Sequence, residues 1–288
     1  MSTRREFVVG AGASLAAIAL APRAFGEKME RPIGVQLFTV RNLLGKDMPG
    51  TLAAIHKIGY RTVETYVAEY KIPAKDLRQA ILDAGLTVPS AHFGYNDFAQ
   101  RFDYAKELGA EYVVCSSVPE SVGNSADGFK RAADQYNAWG EQARAVGLKF
   151  GFHDHDTEFK VFNGVTGFDL LMQYTDPKVV QWQMDCYWVT QAGRDPVKLF
   201  KQYGPRMQSL HLKDRKANAP TSTDTGPGSQ HFTEVGTGTI DFPEILRLAG
   251  KYHIPNMFVE QDRTERPPLE SIAISYKNIM KIMNAQDA

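Results

Sequence analysis

"LKFGFHDHDTEF", residues 148–159, opens as a β-strand and ends as a cluster of imidazoles and carboxylates. Successive strand side chains point to opposite faces, so Phe150 and Phe152 share one side while Gly151 and His153 share the other. Such a strand buries its aromatic face and aims its histidine at something polar. The same alternation returns downstream. Within 180–185, Val180, Trp182 and Met184 oppose Gln181, Gln183 and Asp185, which leaves Trp182 in the core. Leu210 and Leu212 oppose Ser209, His211 and Lys213, and Met257 and Val259 oppose Phe258 and Glu260.

Strand-like runs fall at 33–38, 62–66, 87–92, 111–116, 148–153, 179–185, 207–213 and 256–261. Between and after them lie helical patterns at 49–58, 74–84, 97–108, 126–146, 165–175, 195–203, 241–252 and 268–284. Strict alternation calls for a parallel sheet, and eight repeats close it into an α/β (β/α)8 TIM barrel. A doubly wound open sheet is the competing arrangement, but no Gly-rich dinucleotide fingerprint follows the first strand.

With the apolar residues facing the helices, the opposite faces fill the barrel mouth with Gln36, Glu64, His92, His153, Asp185, His211 and Glu260, and with Ser116 or Cys115 on the fourth strand. Barrel interiors are normally packed by branched apolar side chains, and unpaired buried ionisable groups cost several kcal/mol each. A bound cation at the C-terminal face is the economical compensation. Carboxylates and imidazoles without cysteine suit one divalent ion of intermediate hardness, Mn, Co, Zn or Fe, with Mg also open.

Lys+Arg and Asp+Glu both number 33, so no bulk field attracts nucleic acid or an anionic membrane. Residues 1–26 read as an export leader of twin-arginine type: Arg4 and Arg5, an uncharged stretch from Phe7 to Pro22, and a small-residue end at Ala24 and Gly26. That stretch is shorter than the roughly 20 residues a spanning helix needs, so no stable membrane anchor is expected after leader removal. A periplasmic single domain, 27–288, is the expectation. Its formal charge is about −2, since removal of the leader leaves 30 basic against 32 acidic residues. Cys115 and Cys186 sit in apolar runs and read as buried thiols. The Gly/Pro/Ser/Thr-rich stretch 214–240 reads as a long loop on the mouth side, a substrate lid or a disordered segment.

The ordered motifs "GFHDHDTEF", "QMDCYWV", "LHLKD", "EVGTGTIDF" and "FVEQD" resemble the xylose-isomerase-like TIM barrels, from about residue 31 to the end. This group includes sugar isomerases, ketose 3-epimerases and inosose-processing enzymes; the resemblance is nearest to exported members of the sugar phosphate isomerase/epimerase group. It implies one divalent cation held by Glu158, Asp185, His211 and Glu260. Many relatives carry a glutamate at the end of strand five, where this chain has His153, so Glu158 would reach back from the loop and His153 is the alternative ligand.

The resemblance also implies Glu158 and Glu260 as the acid/base pair, one removing a proton beside a carbonyl and the other returning it. His92, His155, Lys213 and Glu64 are candidate substrate-binding residues, with an ion pair to Asp214 or another carboxylate as a second role for Lys213. Tyr187 and Trp188 are candidates for an apolar wall beside a sugar ring, and His231 for a lid residue; His56 and His253 read as structural. The expected activity is metal-dependent isomerisation or epimerisation of a keto-sugar or sugar derivative. The same site could serve a lyase or dehydratase on a keto-sugar or keto-glycoside, and a non-catalytic periplasmic sugar-binding protein is a third reading. Phosphorylated substrates fit less well, because no Gly-rich phosphate cradle or arginine cluster falls on the mouth side. Trinuclear-zinc phosphodiester cleavage would need more histidines and a basic groove.

Overall fold

The computed structural model describes residues 32–66, 71–226, 228 and 230–286. The leader, 1–26, lies outside the described residues. Eight parallel strands form a closed barrel: β1 (Ile33–Gln36), β2 (Thr62–Tyr66), β3 (Thr87–Phe93), β4 (Tyr112–Cys115), β5 (Lys149–His153), β6 (Val180–Asp185), β7 (Met207–Leu212) and β8 (Asn256–Val259). Each pairs with its sequence neighbours, and β8 closes on β1. This is the (β/α)8 TIM barrel expected from the alternation.

The outward faces build the apolar layer. Phe150 and Phe152 of β5 pack on Tyr136 of helix Ala126–Ala145 with ring centroids 5.4 and 5.6 Å apart. Trp182 of β6 meets Phe168 of helix Gly167–Tyr174 at 4.7 Å. Each of these rings is essentially fully buried, and burial of such a side chain stabilises the fold by about 1.5–3 kcal/mol. Inside the barrel, glycines make room for large neighbours: a Cβ on Gly34 would fall 2.5 Å from the Phe258 ring, and one on Gly151 would fall 2.2 Å from the Gln208 amide.

Register aligns the polar residues at the mouth. Gln36 stands opposite Glu64, His153 opposite Gln183, and Asp185 opposite His211. The last pairing depends on a bulge: Trp182 pairs Met207 but Gln183 pairs Ser209, so β7 carries Gln208 as an extra residue. Without it, the inward faces of β6 and β7 would be out of step by one residue.

Several local expectations are corrected. The helix expected over 97–108 is a 3-10 run, Tyr95–Arg101, interrupted at Asp97 (φ −122°), followed by a helix over Phe102–Leu108. The helix expected from 165 starts at Gly167, because Thr166 caps it in a reciprocal box with Asp169 while Val165–Thr166 pairs with Val161–Phe162. A short helix, Cys186–Gln191, follows β6 unannounced. Stretch 214–240 holds a small hairpin, Asp214–Arg215 against Phe232–Thr233, pinned by the Asp214 carboxylate, which accepts from the backbone N–H groups of Arg215, Gly236, Gly238 and Ile240. Cys115 and Cys186 are free and buried, as expected.

Candidate active site and ligand group

At the C-terminal mouth, Glu64 of β2 is the deepest acid. Its two oxygens accept from Gln36 Nε2 (3.0 Å), Ser90 Oγ (2.5 Å), Gln183 Nε2 (2.8 Å) and His211 Nε2 (2.5 Å), with His92 Nε2 at 3.2 Å. Burial alone would raise its pKa, yet the His92 and His211 rings hold it well below the usual carboxylate range. With its oxygens spent on these donors, Glu64, expected to bind substrate, lies outside the cavity lining. It orients His211 instead.

The Gln183 amide orders the other rings. Its Oε1 lies 2.7 Å from His92 Nε2 and 3.0 Å from His153 Nδ1, while its Nε2 donates to Glu64 and to Ser209 Oγ. An oxygen can only accept, so both ring nitrogens carry hydrogen. His153 therefore keeps a bare Nε2, 3.8 Å from Asp185 Oδ2. Burial, reinforced by the His211 charge, pushes the His153 pKa well down and keeps the ring neutral.

Asp185 ends β6 and caps the following helix, Oδ1 accepting from Tyr187 N (2.8 Å) and Trp188 N (3.1 Å). That fixes the carboxylate with Oδ2 turned inward, buried and without a well-angled hydrogen bond. His211 Nδ1 stands 3.8 Å from this oxygen and 2.9 Å from Glu260 Oε2. Asp185, His211 and Glu260 each offer a donor atom within 4.8 Å of the others. Two carboxylates and one imidazole nitrogen at this spacing fit a divalent ion of intermediate hardness. A second group within the same spacing, His92, His153 and His211, shares His211, but its first two members each spend a nitrogen on Gln183.

Lys213, fully buried just past β7, directs its ammonium at three carboxylates: Asp185 Oδ2 (3.0 Å), Glu260 Oε2 (2.7 Å) and Asp262 Oδ1 (2.6 Å). The acids outweigh burial and keep the ammonium charged. Lys213 and His211 together hold Glu260 far below the carboxylate range despite its burial. Burial raises Asp185 to about 6, against the pull of Lys213 and His211. His211 rises to about 10 because Glu260 and Glu64 overcome its burial.

Above these groups opens a cavity of about 280 Å³ lined on one side by Phe38 and Tyr66 and on the other by His92, His153, His155, Lys213, Glu260 and Asp262, with Gln36, Ser116 and Ser117 completing it. Phe38 and Tyr66 meet edge to face at 5.6 Å. They supply the apolar wall that the sequence suggested for Tyr187 and Trp188; those two lie behind, packed on Phe232 of the hairpin. Trp188 backs His155 at 5.2 Å between ring centroids. His155 Nδ1 is buried without a hydrogen-bond partner among the described residues, and burial and the Lys213 charge push the imidazole down to about 3.

The structure brings together Asp185, His211, Glu260, Lys213, His92 and His155. It does not bring Glu158 to them. That carboxylate accepts from His155 N (2.8 Å), Thr157 Oγ1 (3.2 Å) and Val118 N (3.3 Å), tying the loops after β4 and β5 together. Expected as ligand and base, Glu158 takes no place in either ligand group among the described residues, and His153 is the strand-five side chain near Asp185. Lys213 pairs with Asp185, Glu260 and Asp262 rather than Asp214. Gln183, Asp262 and Phe38 were missed. Gln183 lies two residues before Asp185 in β6, so the period of two already pointed to it, whereas Asp262 follows the end of β8, where no such period applies.

The description "Xylose isomerase-like TIM barrel" matches residues 52–277. An inosose dehydratase from Clostridium beijerinckii is 26% identical over 198 residues, 60% of this chain and just under two thirds (65%) of that relative's own length. A sugar phosphate isomerase/epimerase from Parabacteroides distasonis superposes with a TM-score of 0.72 at 24% identity, covering 90% of this chain and 98% of that one. The IolI protein, solved with a zinc atom bound, superposes with a TM-score of 0.69 at 17% identity, covering 88% of this chain and 98% of that one. With the family description spanning most of the chain, and the closed barrel and its mouth arranged as above, this protein belongs to the xylose isomerase-like TIM barrel family.

Proposed function

We propose that the protein is a divalent-metal-dependent lyase of dehydratase type, acting on a small polyhydroxylated ketone derived from a sugar or cyclitol. The relatives named inosose dehydratases support the lyase, named as an alternative from sequence, over the isomerase or epimerase first expected. The observation that carries the reading is the convergence of Asp185, His211 and Glu260 beneath a cavity whose floor also holds Lys213, Asp262 and His155. The cavity has room for one ring, with Phe38 and Tyr66 for its apolar face.

Asp185, His211 and Glu260 would hold the ion, with His153 Nε2 adjacent. When bound, a divalent ion there supplies Lewis acidity toward a carbonyl oxygen. Glu260 uses Oε2 for His211 and Lys213, so its other oxygen is the one to take the proton from the carbon beside the carbonyl. The C–H electron pair becomes the new carbon–carbon double bond. The hydroxyl on the next carbon leaves with its bonding pair and takes the proton held by Glu260, so that water departs and the carboxylate is restored. Lys213 steadies charge on the substrate oxygens, and the His155 ring at the cavity wall orients the leaving hydroxyl. Residues 1–26, outside this machinery, would carry the enzyme to the periplasm; retention of an Arg4→Lys, Arg5→Lys variant in the cytoplasm tests that assignment.

The test is incubation of metal-loaded protein with cyclitol ketones, keto-sugars and 3-keto-glycosides in heavy water, read by mass spectrometry and NMR. Loss of water, or of another β-substituent, supports the lyase. An intact skeleton carrying deuterium beside the carbonyl assigns an epimerase or isomerase instead. No exchange with any ketone would sink both.

A further inference from the structure

We propose that Lys213 is the resident counter-cation of the ligand group, and that a divalent ion enters by exchange with it, sending the ammonium onto Asp262 at the substrate side. The inference rests on the metal reading above. Nζ stands 3.0 Å from Asp185 Oδ2 and 2.7 Å from Glu260 Oε2. Those are the two oxygens that lie 3.8 and 2.9 Å from His211 Nδ1. The donors that would meet an ion therefore already meet an ammonium.

Two cations drawn to one pair of buried oxygens repel each other with little water to screen them. Aspartate oxygens left without a positive partner would be as costly. The arrangement resolves the conflict, because Lys213 has a third acid within reach. Asp262 Oδ1 lies 2.6 Å from Nζ, its side chain is 20% exposed, and it lines the cavity. Among the described residues the oxygen has no other hydrogen bond. A turn about the last bonds of the flexible lysine stem moves the ammonium from the acids beneath to the acid above. The Trp188 and Phe232 rings, each 5.4 Å from Nζ, are cation–π partners within the mouth.

Two consequences follow for the molecule. The metal-free barrel keeps its carboxylates neutralised and needs no ion to fold. Loading is coupled to catalysis, because the event that fills the ligand group also presents an ammonium to the substrate. The location of the Lys213 ammonium then reports the state of the site.

Crystals of the full chain loaded with Co²⁺, with the ion located by anomalous scattering, test the exchange directly. The expected result is an ion on Asp185, His211 and Glu260, with Nζ out of hydrogen-bonding range of Asp185 Oδ2 and still bonded to Asp262. Calorimetric Co²⁺ titration gives the solution counterpart. Lys213→Met should bind about tenfold more tightly and Asp262→Asn, lacking the refuge, about tenfold more weakly. Nζ still bridging Asp185 and Glu260 beside a bound ion overturns the exchange, as does unchanged or weaker affinity in Lys213→Met. A wild-type chain that takes up no Co²⁺ defeats the metal reading together with this one, whereas an ion bound beside an unmoved lysine defeats this one alone.

Discussion

The Gln183 side-chain oxygen holds His153 in the Nδ1–H tautomer, at 3.0 Å, and thereby leaves Nε2 bare toward Asp185. Because the same oxygen also receives His92, one buried amide sets two imidazoles. Groups that orient a ligand in this way typically control metal affinity by 10–100-fold. Gln183→Met should therefore lower Co²⁺ affinity by about that factor, and should cost about 1–3 kcal/mol of stability through the partners left unsatisfied. Calorimetry and denaturant unfolding read the two effects separately; full affinity in this variant would remove His153 from the metal's surroundings.

His211 gives the metal-free protein a pH signature. Its pKa is raised to about 10 by Glu260 and Glu64, against burial. A raised imidazole pKa contributes stability that is whole below its unfolded value of about 6.5 and is lost as pH climbs toward the folded value. Melting temperature in chelator should accordingly fall between about pH 7 and 10. Glu64→Gln removes one of the two acids and should flatten that slope. An equally steep decline in Glu64→Gln would place its origin elsewhere.

Asp154 carries the opposite sign. Its Oδ1 accepts from Trp182 Nε1 (2.7 Å) and Asp185 N (3.0 Å), while Oδ2 is buried without a hydrogen-bond partner among the described residues. Burial, and then the Asp185 charge, raise its pKa well above normal. A carboxyl that folds protonated costs stability once pH exceeds its unfolded value of about 3.9. Asp154→Asn preserves the accepting oxygen and removes the cost. It should be more stable than wild type by about 1–3 kcal/mol at pH 7, with the difference vanishing near pH 4. A destabilised Asn variant at pH 7 would mean that Asp154 is ionised.

How much of this was legible in sequence depended on range. The barrel was, because period-two alternation is a property of each strand alone and survives any partner: Phe150, Trp182 and Leu210 face outward as that pattern required. The inward acids and histidines were legible for the same reason. Glu158 was not, because it sits in a 3-10 turn, Thr157–Phe159, where no period governs direction. Its carboxylate turned to the backbone of Val118, forty residues away in sequence. Glu64 shows a different limit. Alternation placed it inward but carries no depth, and depth separates a residue that lines the cavity from one that bonds to His211 outside the lining. The β7 bulge at Gln208 likewise leaves no mark in composition, although it brings Asp185 level with His211.

Two glutamates expected to act as a pair should therefore behave differently. Glu260 lines the cavity and shares an oxygen with His211 and Lys213; Glu158 binds backbone and a threonine hydroxyl. Glu260→Gln should abolish solvent deuterium exchange beside the ketone and weaken Co²⁺ binding, with the melting temperature little lowered because the amide still fills the space. Glu158→Ala should retain Co²⁺ affinity and lose about 1–3 kcal/mol of stability, since the backbone N–H groups of His155 and Val118 are left without their acceptor. Its turnover should fall only as far as His155 is displaced, and Glu158→Gln, which keeps an accepting oxygen, should recover most of it. Loss of metal from Glu158→Gln with the fold intact would return that residue to the ligand shell and require the loop after β5 to rearrange on loading.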